Sequence, residues 1–168
     1  MSAARAALLL PLFALLLFAL LLGGCLSQTM HVVTTGTAGE KPTNLALGNI
    51  VFDPPHAYTG DMREIRKMCQ GIGRIHGFSI TESAELPAIH FYLRDRGYTR
   101  EFLTLHSIGV FSEITSPAGV SLYKTYFLQD GQDSLQSLRF VAGVFEKTFQ
   151  ALAARMEAED RERKKKGQ

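Results

Sequence analysis

Few residues in this chain are of a type that does chemistry, and their spacing limits what they can do. Cys69 and His76 stand seven positions apart in a stretch that reads as helix. They share a face, but two helical turns separate them by about 10 Å, too far to grip one metal ion. His90 and His106 fall in segments that read as strands and can approach one another. No third ligand is in register with them, and the chain has no HxH or HExxH pair. The histidines therefore read as ordinary core or surface residues, with no metal site expected. Gly71-x-Gly73 closes a helix instead of opening one, so the free amides that cradle phosphate are at the wrong end. There is no GxSxG elbow and no P-loop. Cys69 lies on an apolar helix face, where a thiol behaves as a small hydrophobe. A catalytic reading would need a polar cleft gathering His90, His106 or Asp95. The expectation is a non-enzymatic protein with no catalytic residues.

Recognition is better represented. Arg94, Arg96 and Arg100 cluster around Arg94-Asp95-Arg96-Gly97, a sequence that reads as a hairpin tip, with Tyr92 and Tyr98 beside it. Arginine and tyrosine are favoured at binding hot spots, and arginine grips phosphate or carboxylate with two parallel donors. These five residues are the candidate partner-binding set, a solvated turn being the simpler alternative. A second candidate is whichever sheet face the helices leave bare, where Tyr123, Phe127 and Phe111 are expected.

The most specific signal lies at the other end. Arg5 precedes an apolar run from Ala6 to Leu22 that ends in Leu22-Gly23-Gly24-Cys25. A positive charge, an apolar stretch and small residues is the order of a secretory signal, although the run is also long enough for a plain spanning helix. The four closing residues resemble the lipobox of bacterial lipoprotein precursors. That resemblance implies cleavage before Cys25, a diacylglycerol thioether on its sulfur and an acyl group on its new amino terminus, with no other cofactor. At about 0.8 kcal/mol per buried methylene, two or three acyl chains anchor a protein stably. Leu26 follows where aspartate would signal inner-membrane retention by the enterobacterial sorting pattern, so the outer membrane is implied, with the domain facing the periplasm.

The elements that must position these residues follow from periodicity. Residues 25–44, rich in Thr, Gly and Ser, read as a flexible tether with a reach of roughly 20–25 Å. Leu45 to Phe52 is an apolar strand stopped by Asp53-Pro54-Pro55. Asp61 to His76 is an amphipathic helix with a capping box at Asp61 and Glu64 and a stop at Gly77. Strands are expected over 78–81, 88–93, 101–114 and 120–129, with a type I turn at Ser116-Pro117-Ala118-Gly119. Leu135, Leu138, Ala142, Phe145, Phe149, Leu152 and Met156 recur at steps of three and four, a helix stripe that packs on the sheet of the same molecule or takes a partner helix. Asp133 and Gln136 suit a capping box at its start. Residues 159–168 read as a charged, frayed tail ending in Lys164-Lys165-Lys166, a solvated end or a weak contact for anionic headgroups.

The sum is an α+β domain over 45–158, strand-helix-strand-strand-strand-helix, a mainly antiparallel sheet with two helices on one face. This order, behind a lipobox, resembles that of small envelope-assembly lipoproteins, the lipopolysaccharide-assembly lipoprotein among them. The resemblance implies a membrane-anchored, non-enzymatic accessory or assembly factor that binds another envelope protein, and it transfers no functional residue beyond Cys25. The alternative is a carrier or sensor of a lipid or small amphiphile, which needs an apolar cavity between sheet and helices. Arg5 is the only charged side chain before Cys25, so the chain from Cys25 onward is balanced to within one charge. That balance argues against a nucleic-acid partner. With only Cys25 and Cys69, no disulfide framework is available.

Overall fold

The computed structural model describes residues 31–34, 42–100, 103–131 and 133–167, with backbone alone at 31, 32, 34, 98–100, 103 and 104. The elements are β1 (His31–Thr34), β2 (Asn44–Asp53), α1 (Met62–Ile75), β3 (Ser79–Thr81), β4 (Ala88–Arg100), β5 (Leu103–Thr115), β6 (Ser121–Gly131) and α2 (Leu138–Lys165), with a 3-10 turn at Pro55–Ala57. One six-stranded sheet runs in the order β1-β6-β5-β4-β2-β3. Both helices pack on the same side of it, in an α+β arrangement.

The sheet is mixed, which corrects the antiparallel expectation in part. β2 lies parallel to both β3 and β4, while β4, β5, β6 and β1 are antiparallel neighbours. The cause is α1. A helical crossover returns the chain at the starting end of β2, so β3 can pair only in parallel. The connection after β3 then passes to the other side of β2, and β4 enters in parallel too.

Helix α1 starts where expected: the Asp61 carboxylate accepts from the Arg63 amide at 2.8 Å, and Gly77 ends the element with φ +83°. Ile65 and Cys69 are fully buried beneath it, whereas Ile75, at the last turn, is 79% exposed. α2 is capped one turn later than the Asp133–Gln136 pairing suggests. The Ser137 hydroxyl accepts from the Phe140 amide, and Gln136 is used elsewhere, holding Thr59 and the His56 carbonyl. Its apolar stripe packs on the molecule's own sheet: Val141, Val144, Phe145, Phe149, Leu152 and Met156 are buried. Phe91 in the sheet meets Phe145 and Phe149 edge-on at 4.8 and 6.0 Å between ring centres. Burial of each such aromatic contributes about 1.5–3 kcal/mol. The helix continues to Lys165 through the stretch expected to fray, helped by cations in its last turn.

Two boundaries differ from the sequence reading. Within the segment read as a tether, His31–Thr34 pairs with β6, His31 opposite Tyr126 and Thr34 opposite Tyr123. The run Val32-Val33-Thr34 is β-branched throughout, which suits a pleated edge. Arg94-Asp95-Arg96-Gly97 is not a tip. It lies inside a ladder that continues until Arg100 opposes Leu103. The turn at Ser116–Gly119 forms as expected, the Gly119 amide donating to the Ser116 carbonyl at 2.8 Å with φ +78° at the glycine.

Candidate functional site: the uncovered sheet face

Strand alternation sends one set of side chains under the helices and the other into the open. In β4, Ile89, Phe91 and Leu93 go under, and His90, Tyr92, Arg94 and Arg96 face out. The ladder registers stack the outward residues into rows across the sheet. One row is Val51, Tyr92, Phe111 and Tyr126, ending at β1 beside His31. Tyr92 and Phe111 pack with ring centres 5.8 Å apart. The next row is Asp53, Arg94, Gly109 and Leu128. Gly109 contributes no side chain between Arg94 and Leu128, so the face dips there into a concavity of about 650 Å³.

This face is apolar in its middle and ionic at its rims. Val51, Tyr92, Tyr126 and Leu128 are 40–64% exposed although they adjoin one another. On one side the Arg94 guanidinium donates to the Asp53 carboxylate, and on the other Lys124 pairs with Glu113 at 3.5 Å. The Arg94–Asp53 pair is largely solvated and contributes little to stability, while Lys124–Glu113 is partly sheltered. A contiguous exposed patch of aromatic and aliphatic side chains on a sheet is what a contact surface looks like. His90, outside the patch, is locked: its Nδ1 accepts from the Asn49 amide at 3.2 Å, leaving Nε2 to donate to the Thr115 hydroxyl at 3.3 Å.

Of the five candidate binding residues, Tyr92, Arg94 and Arg96 lie together on this face. Tyr98 and Arg100 are in β4, but their side chains lie outside the described residues, as does Cys25 altogether. Tyr123 and Phe127 were expected here and lie on the opposite face, 1% and 3% exposed beneath α2. Phe111 is where it was expected, and Tyr126 and Leu128 take the places of the other two.

A second, smaller concavity of about 250 Å³ opens on the helix side, lined by Pro54, His56, Asp95, His106, Ser134 and Gln136. Asp95 turns inward from β4, 9% exposed, and His106 Nδ1 stands 2.9 Å from each of its carboxylate oxygens. Register explains the pairing: Gly97 faces His106 across the ladder, which leaves room for the diagonal neighbour. His90, on the other face, is not part of this cleft. A carboxylate-oriented imidazole can serve as a base. Among the described residues, however, no hydroxyl, thiol or amine hydrogen-bonds to its Nε2. Nor do the described residues contain a group of three His, Cys, Asp or Glu side chains that could hold a metal ion. Cys69 is walled in, and burial pushes its thiol well above the usual range.

No protein-family model matches the chain, and no curated protein matches it. Among solved structures it is similar to the PelC dodecamer from Paraburkholderia phytofirmans. For that protein's two crystal forms the identity is 12%, coverage is 75% of this chain and 97% of the other, and the TM-scores are 0.47 and 0.46. It is also similar to a minor lipoprotein from Acinetobacter baumannii, 11% identical over 71% of this chain and 93% of the other, with a TM-score of 0.43. Among the described residues, no helix is long and apolar enough to cross a membrane.

Proposed function

We propose that this chain is a bacterial lipoprotein, anchored through acyl chains on Cys25 to the outer membrane and facing the periplasm. There it acts as a non-enzymatic accessory factor of the cell envelope. The observation that carries the binding role is the uncovered sheet face, where Val51, Tyr92, Phe111, Tyr126 and Leu128 form one exposed apolar patch. A face of this kind costs solubility unless something covers it. Arg94 and Arg96 on its rim supply orientation through charge and hydrogen bonds.

The test is complementation. In a strain lacking the gene, a variant carrying Tyr92→Ser, Tyr126→Ser and Leu128→Ser accumulates normally and fails to restore resistance to detergents and large antibiotics. Ile75→Ser, exposed on the helix side, restores it. Full complementation by the triple variant removes this face from the function. Arg94→Ser and Arg96→Ser combined asks the same of the two rim arginines.

The 650 Å³ concavity over Gly109, on the open sheet face instead of between sheet and helices where it was expected, favours one second reading, a lipid or small-amphiphile binder. Native mass spectrometry on gently purified protein distinguishes the two: a stoichiometric bound amphiphile supports the carrier reading, and a ligand-free chain counts against it.

A further inference from the structure

The occupant of the uncovered face can be argued from the short stretch between the anchor and the fold. β1 starts at His31, so six Cα steps separate Cys25 from a strand hydrogen-bonded into the sheet. Fully extended, six steps span roughly 20 Å. As a coil the leash reaches about 12–15 Å, against roughly 20–25 Å for a tether running to Asn44, so a strand at His31 holds the domain closer to the membrane. Resting on the anchored-lipoprotein reading, we infer that the uncovered sheet face docks onto the lipid bilayer surface itself, with Val51, Tyr92, Phe111, Tyr126 and Leu128 seated at the headgroup–acyl boundary.

Three features choose this face and this occupant. The leash ends at His31, opposite Tyr126, so it delivers the bilayer to the end of the aromatic row and not to a remote part of the molecule. Two of the exposed residues are tyrosines, whose apolar rings and polar tips suit a boundary that is dry on one side and wet on the other. On the rim, where Arg94 and Lys124 are held by Asp53 and Glu113, Arg96 has a long apolar stem and can extend its charged end to a lipid phosphate while the stem lies along the patch. On the helix side most of the apolar stripes are spent on the core, and Met62, Ile75 and Leu138 are the exposed large apolar residues of the two helices. The sheet is then held flat against the membrane, and the helix layer faces the periplasm.

The chain contains no tryptophan, so one introduced indole reports from a single place. The experiment uses the lipidated chain purified from membranes and reconstituted into phosphatidylethanolamine–phosphatidylglycerol vesicles that contain chain-brominated lipid. Leu128→Trp and Val51→Trp report from the sheet face, and Ile75→Trp from the helix side. Intact mass of each sample reads the acyl groups on Cys25. With Cys25 lipidated, both sheet-face reporters should be quenched at least about twofold more than Ile75→Trp, as expected for side chains at the headgroup–acyl boundary. Equal quenching at all three sites, on a lipidated chain, overturns the docking and leaves the anchor in place. A Cys25 without lipid overturns the anchored reading, and the docking inference falls with it.

Discussion

Tyr123 links the sheet to the far end of α2. Its ring is buried between them, and its hydroxyl donates to Glu159 at 2.9 Å. Burial, then the hydrogen bond to Glu159, then that carboxylate's negative charge push the phenol up to about 12. In the unfolded chain it titrates near the ordinary 10, so between these values the folded state holds the proton more tightly. The stabilisation is therefore complete below pH 10 and is lost as pH rises toward 12. Tyr123→Phe should cost about 1 kcal/mol at neutral pH and make the decline in urea-unfolding free energy across that alkaline window shallower, leaving the part that the buried Cys69 thiol contributes. If the variant declines as steeply as the parent, another group is responsible. The same residue shows where sequence reading stops. In β6, Tyr123, Thr125 and Phe127 alternate with Leu122, Lys124, Tyr126 and Leu128, and both sets carry apolar side chains. Alternation separates the two faces but does not say which one meets the helices. Asp95 was illegible for a related reason: an acid between two arginines reads as a turn unless its cross-strand partner, the diagonal His106, is known.

At the scale of elements, the helices were the most legible parts, because caps and stripes are local. Asp61, Gly77 and the α2 stripe from Phe145 to Met156 do what their chemistry dictates, whereas Leu135 lies before the helix and Leu138 is 37% exposed. The pairing of β2 with β3 and β4 was not legible, since parallel register is set by the crossover and not by any residue in the strands. The Gly71-x-Gly73 pair, which has no role in nucleotide binding, belongs to this scale. Gly73 is buried in α1, where an added Cβ would press on Ile80 Cδ1 and lie 3.2 Å from the Phe149 ring. Gly71, half a turn away, has nothing within 4 Å of such an atom. Gly71→Ala should thus stabilise by about 0.5–1 kcal/mol through helix propensity alone. Gly73→Ala gains the same propensity but obliges the buried Ile80 side chain to leave its position against α1, at a cost of about 1–3 kcal/mol, for a net loss. Urea midpoints at unchanged slope would read the two values. Shifts of the same sign would mean that α1 does not pack closely at Gly73.

For the whole molecule, the proposed lipid anchor on Cys25 gives the sequence reading and the structure different positions above a membrane. Read as a tether to Asn44, the N-terminal segment lets a near-neutral domain diffuse, and no surface is favoured. With β1 in the sheet, the proposed anchor on Cys25 would hold the sheet face within reach of the bilayer, and weak contacts would act at high effective concentration. Four β-branched or aromatic-friendly residues at a sheet edge give too short a pattern to stand out from a Thr- and Gly-rich background, which is why β1 was not anticipated. Its consequence can be measured by length. Doubling the leash with Gly and Ser residues inserted between Ser27 and Gln28 leaves the acyl groups and the fold untouched. It should lower the effective concentration of the face at the bilayer by about threefold, following the three-halves power of length. In the lipidated Leu128→Trp chain, quenching by brominated lipid would then fall toward the Ile75→Trp level. Quenching that stays constant as the leash grows would show that the face holds the membrane by its own affinity, and that the position of β1 is incidental to docking.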